Sequence, residues 1–305
     1  MRRSSMNKYS DLVATLNKSD CEVVFDTEMK NYVTFRTGGM VSVVFLPHTI
    51  EALSCILTNL HSEKPVIIGN GSNLLVADKG LSRPVIRLAD NFSGITLENE
   101  VTIRALAGTK LANVCKFALE NSLSGLEFAY GIPGTVGGSV FMNAGAYGGE
   151  IADVLESVRV MSPDGNIREM KASELNLGYR TSIFKSCDDI VISADFTLKK
   201  GDKSEINATM DDIMNRRISK QPLEYPSAGS TFKRPEGHFA GKLIEDAGLR
   251  GYRYGGAMVS EKHCGFIINC DNATTDDILY VISHVRQVVF EQTGITLETE
   301  VLYLE

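Results

Sequence analysis

The sequence predicts an α+β fold, and three observations predict it. Strand and helix signals alternate through the first two thirds of the chain, and two pairs of strand segments are joined by short polar turns at residues 98–100 and 163–165. Such turns make antiparallel hairpins, which a purely parallel doubly wound sheet would not contain. The length, 305 residues, exceeds what one small core usually organises, so two or three compact units are expected.

Taken in order, residues 41–46 form an apolar strand. Thr49 then opens a helix whose Ile50, Leu53, Ile56, Leu57 and Leu60 share one stripe. Pro65 precedes a short strand at 66–68. A hairpin over 95–97 and 101–106 leads into a helix at 110–121, with Leu111, Val114, Cys115 and Ala118 turned inward. The Pro163-Asp164-Gly165 turn marks a second hairpin. A strand at 190–198 ends in the charged stretch Lys199-Lys200-Gly201-Asp202-Lys203, and a helix then runs to about Arg217. The domain boundary is placed in that charged stretch, giving domains of residues 1–200 and 201–305. The remainder reads as helix, long loop, helix, strand, helix, strand. Thr274-Thr275-Asp276-Asp277 supplies a cap and early acidic charge for the last helix, which carries Ile278, Leu279, Ile282, Val285 and Val289 on one face.

Composition removes several classes of function. Thirty-one basic against 38 acidic residues leave a net charge of −7, which is wrong for a general nucleic-acid binder. No run approaches the roughly 20 apolar residues that span a bilayer. Lys8, Asp11 and Asn17 interrupt any signal-peptide core after the basic start, so a cytoplasmic protein is expected. The six cysteines form no CxxC pair and the five histidines no HExxH pattern, so free thiols and no metal site are expected. Oligomeric state has no signature in the chain.

Glycine is concentrated in one place, with seven of the 27 in the chain falling within residues 131–149. The run Gly131-Ile132-Pro133-Gly134-Thr135-Val136-Gly137-Gly138 continues into Asn143-Ala144-Gly145-Ala146-Tyr147-Gly148-Gly149 and leaves little side chain to pack. Such a segment either winds tightly on itself or lets a ligand approach main-chain N–H groups. A second loop, Gly69-Asn70-Gly71-Ser72-Asn73, follows the strand at 66–68, where a sheet presents backbone donors and small hydroxyls to a diphosphate. Leu74 stands where the GxGxxG fingerprint requires glycine, and no GKS/T follows, so neither a Rossmann site nor a P-loop is read. Two glycine loops from separate segments suggest a long ligand with a diphosphate in its middle.

Residues 216–262 carry nine basic and five acidic side chains, a net +4 on a chain whose remainder is −11. That balance fits a small polyanionic substrate as well as it fits a solvated surface. Within this window lies Pro226-Ser227-Ala228-Gly229-Ser230-Thr231-Phe232-Lys233-Arg234-Pro235. GxSxG is absent and no histidine is positioned to activate Ser230, so a proton-donating hydroxyl is a better reading than a hydrolase nucleophile. Glu300 lies in the alternating segment 295–304 on the same strand face as Glu298, where a carboxylate is ordinarily solvated. Arg180, in Tyr179-Arg180-Thr181-Ser182, would ordinarily be a surface ion-pair residue. Composition alone promotes none of the three.

Taken together, the two glycine loops, Tyr179-Arg180-Thr181-Ser182 and Ser227-Ala228-Gly229-Ser230-Thr231-Phe232-Lys233 resemble, in order and spacing, the UDP-N-acetylenolpyruvoylglucosamine reductases. The resemblance runs from Thr34-Phe35-Arg36-Thr37-Gly38-Gly39 to Glu300 and is closest to the shorter type, which lacks an extra substrate-covering tyrosine loop. It implies a two-subdomain FAD-binding module of the vanillyl-alcohol oxidase type, followed by an α+β substrate domain. It implies non-covalent FAD, NADPH as reductant, and UDP-N-acetylglucosamine enolpyruvate as substrate, reduced to UDP-N-acetylmuramate for peptidoglycan. Cofactor contacts are then expected at Gly69, Asn70, Gly71, Ser72, Asn73, Gly131, Pro133, Gly134, Gly137, Gly138, Asn143, Ala144 and Gly145. By the same resemblance, Arg180 and Glu300 stabilise the charge that hydride transfer creates and Ser230 donates the proton, while Tyr179 and Lys220 bind substrate. A donating Glu300 must be protonated, so its burial is expected. Lys262 and His263 receive no role.

Two rivals remain at this stage. An oxidase of the same fold is one, although residues 131–149 contain neither His nor Cys for a covalent flavin. The other is a non-catalytic nucleotide-sugar binding protein.

Overall fold

The stripe of Leu53, Ile56, Leu57 and Leu60 forms the helix Ile50–Leu60 in the computed structural model, and the Thr49 hydroxyl accepts the Ala52 N–H at 3.1 Å as its N-cap. The structure describes residues 8–305. This helix connects two parallel strands, Met40–Pro47 and Val66–Ile68, which both pair with Val85–Arg87 in a sheet whose fourth member is Cys21–Glu28. Phe45, Leu53, Ile56, Ile86 and Phe92 are the large buried members of its core. Each contributes about 1.5–3 kcal/mol by leaving water.

A second sheet is antiparallel throughout, in the order Ile167–Lys171, Leu155–Met161, Ile190–Thr197, Thr102–Leu106, Ile95–Leu97. Both expected hairpins lie in it. Asp195 sits opposite Arg104, and the guanidinium donates twice to the carboxylate, at 2.7 and 2.6 Å, pinning the register of the two inner strands. The helices Leu111–Glu120 and Val136–Met142 cover this sheet with a separate apolar core. Two sheets with two cores make up the first unit, which takes the described residues through Asp26 together with Ser42–Asn70 and Arg83–Asn215. This is the expected pair of subdomains.

The second unit comprises Thr27–Val41, Gly71–Ser82 and Arg216–Glu305. The boundary expected near Gly201 is thus displaced to residues 215/216, inside the helix Lys203–Lys220, and two early segments join the C-terminal unit. Pairing across long sequence separations is the cause. Leu74–Val76 runs parallel to Leu302–Leu304, the Asn269 carboxamide donates to Phe35 O at 3.0 Å, and the Thr34 hydroxyl donates to Ser227 O at 2.6 Å. No local pattern encodes such partners. The last helix, Thr275–Thr293, opens with a capping box between Thr274 and Asp277. Beside it the chain forms a small sheet, Arg253–Tyr254, Ala257–Val259 and Ile267–Asn269, with two strands more than expected. The expected strand over 295–304 shortens to Leu302–Leu304, preceded by a single bridge between Thr299 and Phe232.

Lys262 and His263 acquire structural roles here. The Lys262 ammonium donates to Ile218 O at 2.7 Å, closing the last turn of the helix Lys203–Lys220. The His263 ring accepts the Gly265 N–H on Nδ1 at 3.1 Å and stands edge-on to Phe266. All six cysteines are free; burial raises the Cys115 thiol to about 12 and Cys21 to about 11. Among the described residues no helix is long and apolar enough to cross a membrane, and no cluster of His, Cys, Asp and Glu suits a metal.

Burial, reinforced by Arg250 and Lys220, lowers the His263 imidazole below its ordinary range. Below about pH 6.5 the unfolded chain therefore takes up a proton that the native fold refuses, and stability falls as pH falls. Thermal unfolding followed from about pH 8 to about pH 5 should show a steeper decline for the wild type than for His263→Asn, whose amide oxygen can still accept the Gly265 N–H without titrating. Equal slopes would remove His263 as the cause.

Candidate active site

In the first unit the start of one glycine loop, Gly69-Asn70, meets the other. Gly69 leaves the end of Val66–Ile68, at the carboxyl end of the parallel strands, where ligand crevices form in such sheets. The Asn70 carboxamide donates to Pro133 O at 2.7 Å, and a side chain at Gly69 would collide with the Thr135 hydroxyl. The second loop is fixed by backbone bonds on either side: Leu111 N–H to Gly134 O at 3.1 Å, Val136 N–H to Thr109 O at 2.9 Å and Gly137 N–H to Ala107 O at 2.8 Å. Thr135, missed in the sequence, is the residue on which both loops close.

Gly138 differs from its neighbours. It is exposed within the helix Val136–Met142, and a Cβ built on it would find only Thr135 Oγ1, at 3.6 Å. Neither self-packing nor backbone conformation requires glycine there, and glycine in a helix costs about 1 kcal/mol relative to alanine. The missing side chain leaves a shallow cradle open to a flat ring or a phosphate, so the residues present fit FAD.

Asn143 ends that helix in the left-handed conformation, at φ 42°, and is fully buried. Its side chain donates to Gly178 O at 3.0 Å and accepts the Ala152 N–H at 2.9 Å. Its carboxamide holds the loop that carries Tyr179 and Arg180. Gly178 and Thr181 exchange backbone hydrogen bonds at 3.1 Å, making Tyr179 and Arg180 the two tip residues of a tight turn. Arg180 takes φ 55° there, a conformation most residues avoid. Its guanidinium donates to Gly145 O at 2.9 Å and lies 5.1 Å from the centre of the exposed Tyr179 ring, and its own carbonyl accepts from Lys185 at 2.6 Å. Gly131, Ala144 and Gly145 flank the same helix and turn.

Gly71, Ser72, Asn73, Lys220, Ser230 and Glu300 belong to the second unit. Gly71, at φ 64°, packs so closely on Tyr32 and Val33 that a Cβ would overlap their backbone. The Asn73 carboxamide donates to Glu300 O at 3.1 Å, and Asn73 O accepts the Leu302 N–H at 3.0 Å, so this residue grips the chain on both sides of Val301. Ser230 is exposed beside the fully buried Thr231. Thr231 donates its N–H to Gly265 O at 2.9 Å and accepts the Glu300 N–H at 2.8 Å; its hydroxyl accepts the Ile267 N–H at 3.0 Å. Ser230 and Glu300 are thereby carried on two paired segments whose register Thr231 sets. Sequence reading missed Thr231, because its partners lie more than thirty residues away. Glu300 is partly exposed in this unit, which corrects the expectation of burial: its main chain is held in the pairing while its side chain reaches the unit's surface. Glu298 points to solvent and pairs with Lys233 at 3.0 Å. Lys220 is exposed at the end of its helix.

Comparison with known proteins agrees with this geometry. Residues 41–171 match the FAD binding domain family, and residues 221–304 match the UDP-N-acetylenolpyruvoylglucosamine reductase C-terminal domain. A UDP-N-acetylenolpyruvoylglucosamine reductase of Clostridium beijerinckii is 48% identical over 297 residues, covering 96% of each chain. That of Listeria innocua is 50% identical over 275 residues, covering 90% of this chain and 92% of the relative. The crystal structure of the Thermus caldophilus enzyme superposes with a TM-score of 0.80 at 37% identity, over 93% of this chain and 99% of that one. With an FAD binding domain matched over residues 41–171, a reductase C-terminal domain matched over residues 221–304 and relatives matched over nearly their whole length, the chain belongs to the UDP-N-acetylenolpyruvoylglucosamine reductase family.

Proposed function

We propose that Arg180, Ser230 and Glu300 perform the reduction that this family carries out: NADPH-driven, FAD-dependent reduction of the enolpyruvyl ether of UDP-N-acetylglucosamine to UDP-N-acetylmuramate, a step of peptidoglycan precursor synthesis. The observation that carries the assignment is the pairing in which Thr231 holds the Ser230 and Glu300 segments in one register, inside the region that matches the reductase C-terminal domain.

When bound, FAD would supply the hydride chemistry that links NADPH to the terminal vinyl carbon of the substrate. Gly69, Asn70, Gly131, Pro133, Gly134, Gly137, Gly138, Asn143, Ala144 and Gly145, with Gly71, Ser72 and Asn73, would hold it without a covalent bond, and the bare Gly138 would leave room for it. Hydride addition drives charge onto the substrate carboxylate. Arg180, held rigid by its turn, offsets that charge with little reorganisation, and Glu300 supplies a hydrogen bond to the same group. Ser230 gives its proton to the carbon next to the one that receives hydride, so two hydrogens are added and the double bond is lost. Tyr179 and Lys220 bind the rest of the substrate, with Lys220 facing its phosphates. The cytoplasm, where NADPH and nucleotide sugars are available, is the setting of the reaction.

Ser230→Ala should leave flavin reduction by NADPH nearly intact while slowing reoxidation by the substrate on the order of 100-fold or more. A stopped-flow trace of flavin absorbance reads both halves, and equal damage to the two would end the proton-donor assignment. Arg180→Lys keeps the charge but loses the planar fork that reaches Gly145 O. It too should spare reduction and slow reoxidation, by roughly 10-fold or more, equivalent to about 1.4 kcal/mol; an unchanged reoxidation rate would show that any cation serves.

A further inference from the structure

The turn that carries Arg180 holds its second tip residue in a conformation that arginine does not favour. Gly178 and Thr181 exchange hydrogen bonds at 3.1 Å across it, and of the two residues between them only Arg180 takes positive φ, 55°. Turns with that pattern ordinarily place glycine or asparagine second, because a Cβ crowds the neighbouring main chain there. An arginine in this place has to be held. Its guanidinium reaches Gly145 O at 2.9 Å, but that bond acts through the whole length of a flexible side chain and does little to orient the peptide beneath it.

Lys185 orients the peptide itself. Its ammonium donates to Arg180 O at 2.6 Å, a short charge-assisted bond to the carbonyl of the strained residue. The segment that follows the turn aims this lysine. The Ser182 hydroxyl donates to Phe141 O at 2.7 Å, Ile183 N–H donates to Leu175 O at 2.8 Å, and the Phe184 side chain is buried in the apolar core. Lys185 comes next, exposed, as the last residue of the short helical turn Ile183–Lys185. Reaching back five residues to one carbonyl costs a long side chain its rotamer freedom. It also brings a second cation to the turn that carries the first, and like charges held close together repel. Stability alone is a poor reason for such an arrangement. It becomes useful when an anion meets Arg180 and the direction of the guanidinium decides how well.

We propose that Lys185 is a positioning residue: through Arg180 O it sets the backbone from which the Arg180 guanidinium meets the substrate carboxylate, an inference that rests on the reductase reading above. Lys185→Met in the FAD-loaded protein removes the ammonium and keeps the stem. Because the residue is exposed, the melting temperature should fall by no more than about 2 °C, and flavin reduction by NADPH should stay within about twofold. Reoxidation by UDP-N-acetylglucosamine enolpyruvate should slow by roughly 10-fold, and calorimetric titration of the oxidised protein with the same substrate should show affinity weakened by roughly 5-fold. Lys185→Arg, which can still donate to the carbonyl, should recover most of both losses. The double variant separates positioning from direct contact: on an Arg180→Ala background, Lys185→Met should slow reoxidation by less than about twofold, since the group it orients is already gone. Undiminished slowing in the double variant would overturn the proposal, because Lys185 would then act without Arg180. So would an unchanged rate in Lys185→Met, or a fall in melting temperature that damages both half-reactions alike. A wild-type protein that is reduced by NADPH but not reoxidised by this substrate would instead overturn the reductase reading, and this proposal with it.

Discussion

The buried carboxamide of Asn143 is the constraint on which the first unit's functional surface depends. It stands at the end of a helix only seven residues long, bonded on one side to the Arg180 turn and on the other to the chain at Ala152. A seven-residue helix containing two glycines has little stability of its own. What holds it is the set of long-range bonds at its two ends, Gly134 and Val136 at the start and Asn143 at the finish. Because those bonds run to backbone atoms, the geometry of the loops depends little on side-chain packing. The glycines can then be spent on close approach.

The second unit solves a related problem by other means. Ser230 and Glu300 lie seventy residues apart and on short segments that form hardly any regular strand. Thr231 and Asn73 supply what a longer sheet would: a buried hydroxyl and a carboxamide that fix where the pairing starts and stops. Leaving the buried Thr231 hydroxyl, or the Ile267 N–H that it accepts, unpaired costs about 1–3 kcal/mol, so the register has few alternatives. In the role proposed for Ser230, that register would set where the hydroxyl stands.

Strain and polarity are distributed differently in the two units. Around Arg180 the chain accepts left-handed non-glycine residues, a cost of about 1–3 kcal/mol at each position. Around Ser230 the neighbouring turn at Gly229 is relaxed glycine, φ 76°, with nothing near it.

Much of this was legible in the sequence. Helices with a clear apolar stripe and a Thr cap, both hairpins, the α+β class and the concentration of glycine followed from local periodicity and turn chemistry, which act over a few residues. The order of the motifs carried the family. Tertiary structure alone decided the rest. The domain boundary moved because Leu74–Val76 pairs with Leu302–Leu304, and no pattern within either segment names the other. Asn143 proved buried and bracing the Arg180 turn, and Glu300 proved partly exposed, because burial is a property of the packed chain. Thr135 and Thr231 are ordinary residues in the sequence. They matter through partners that exist only after distant segments have met.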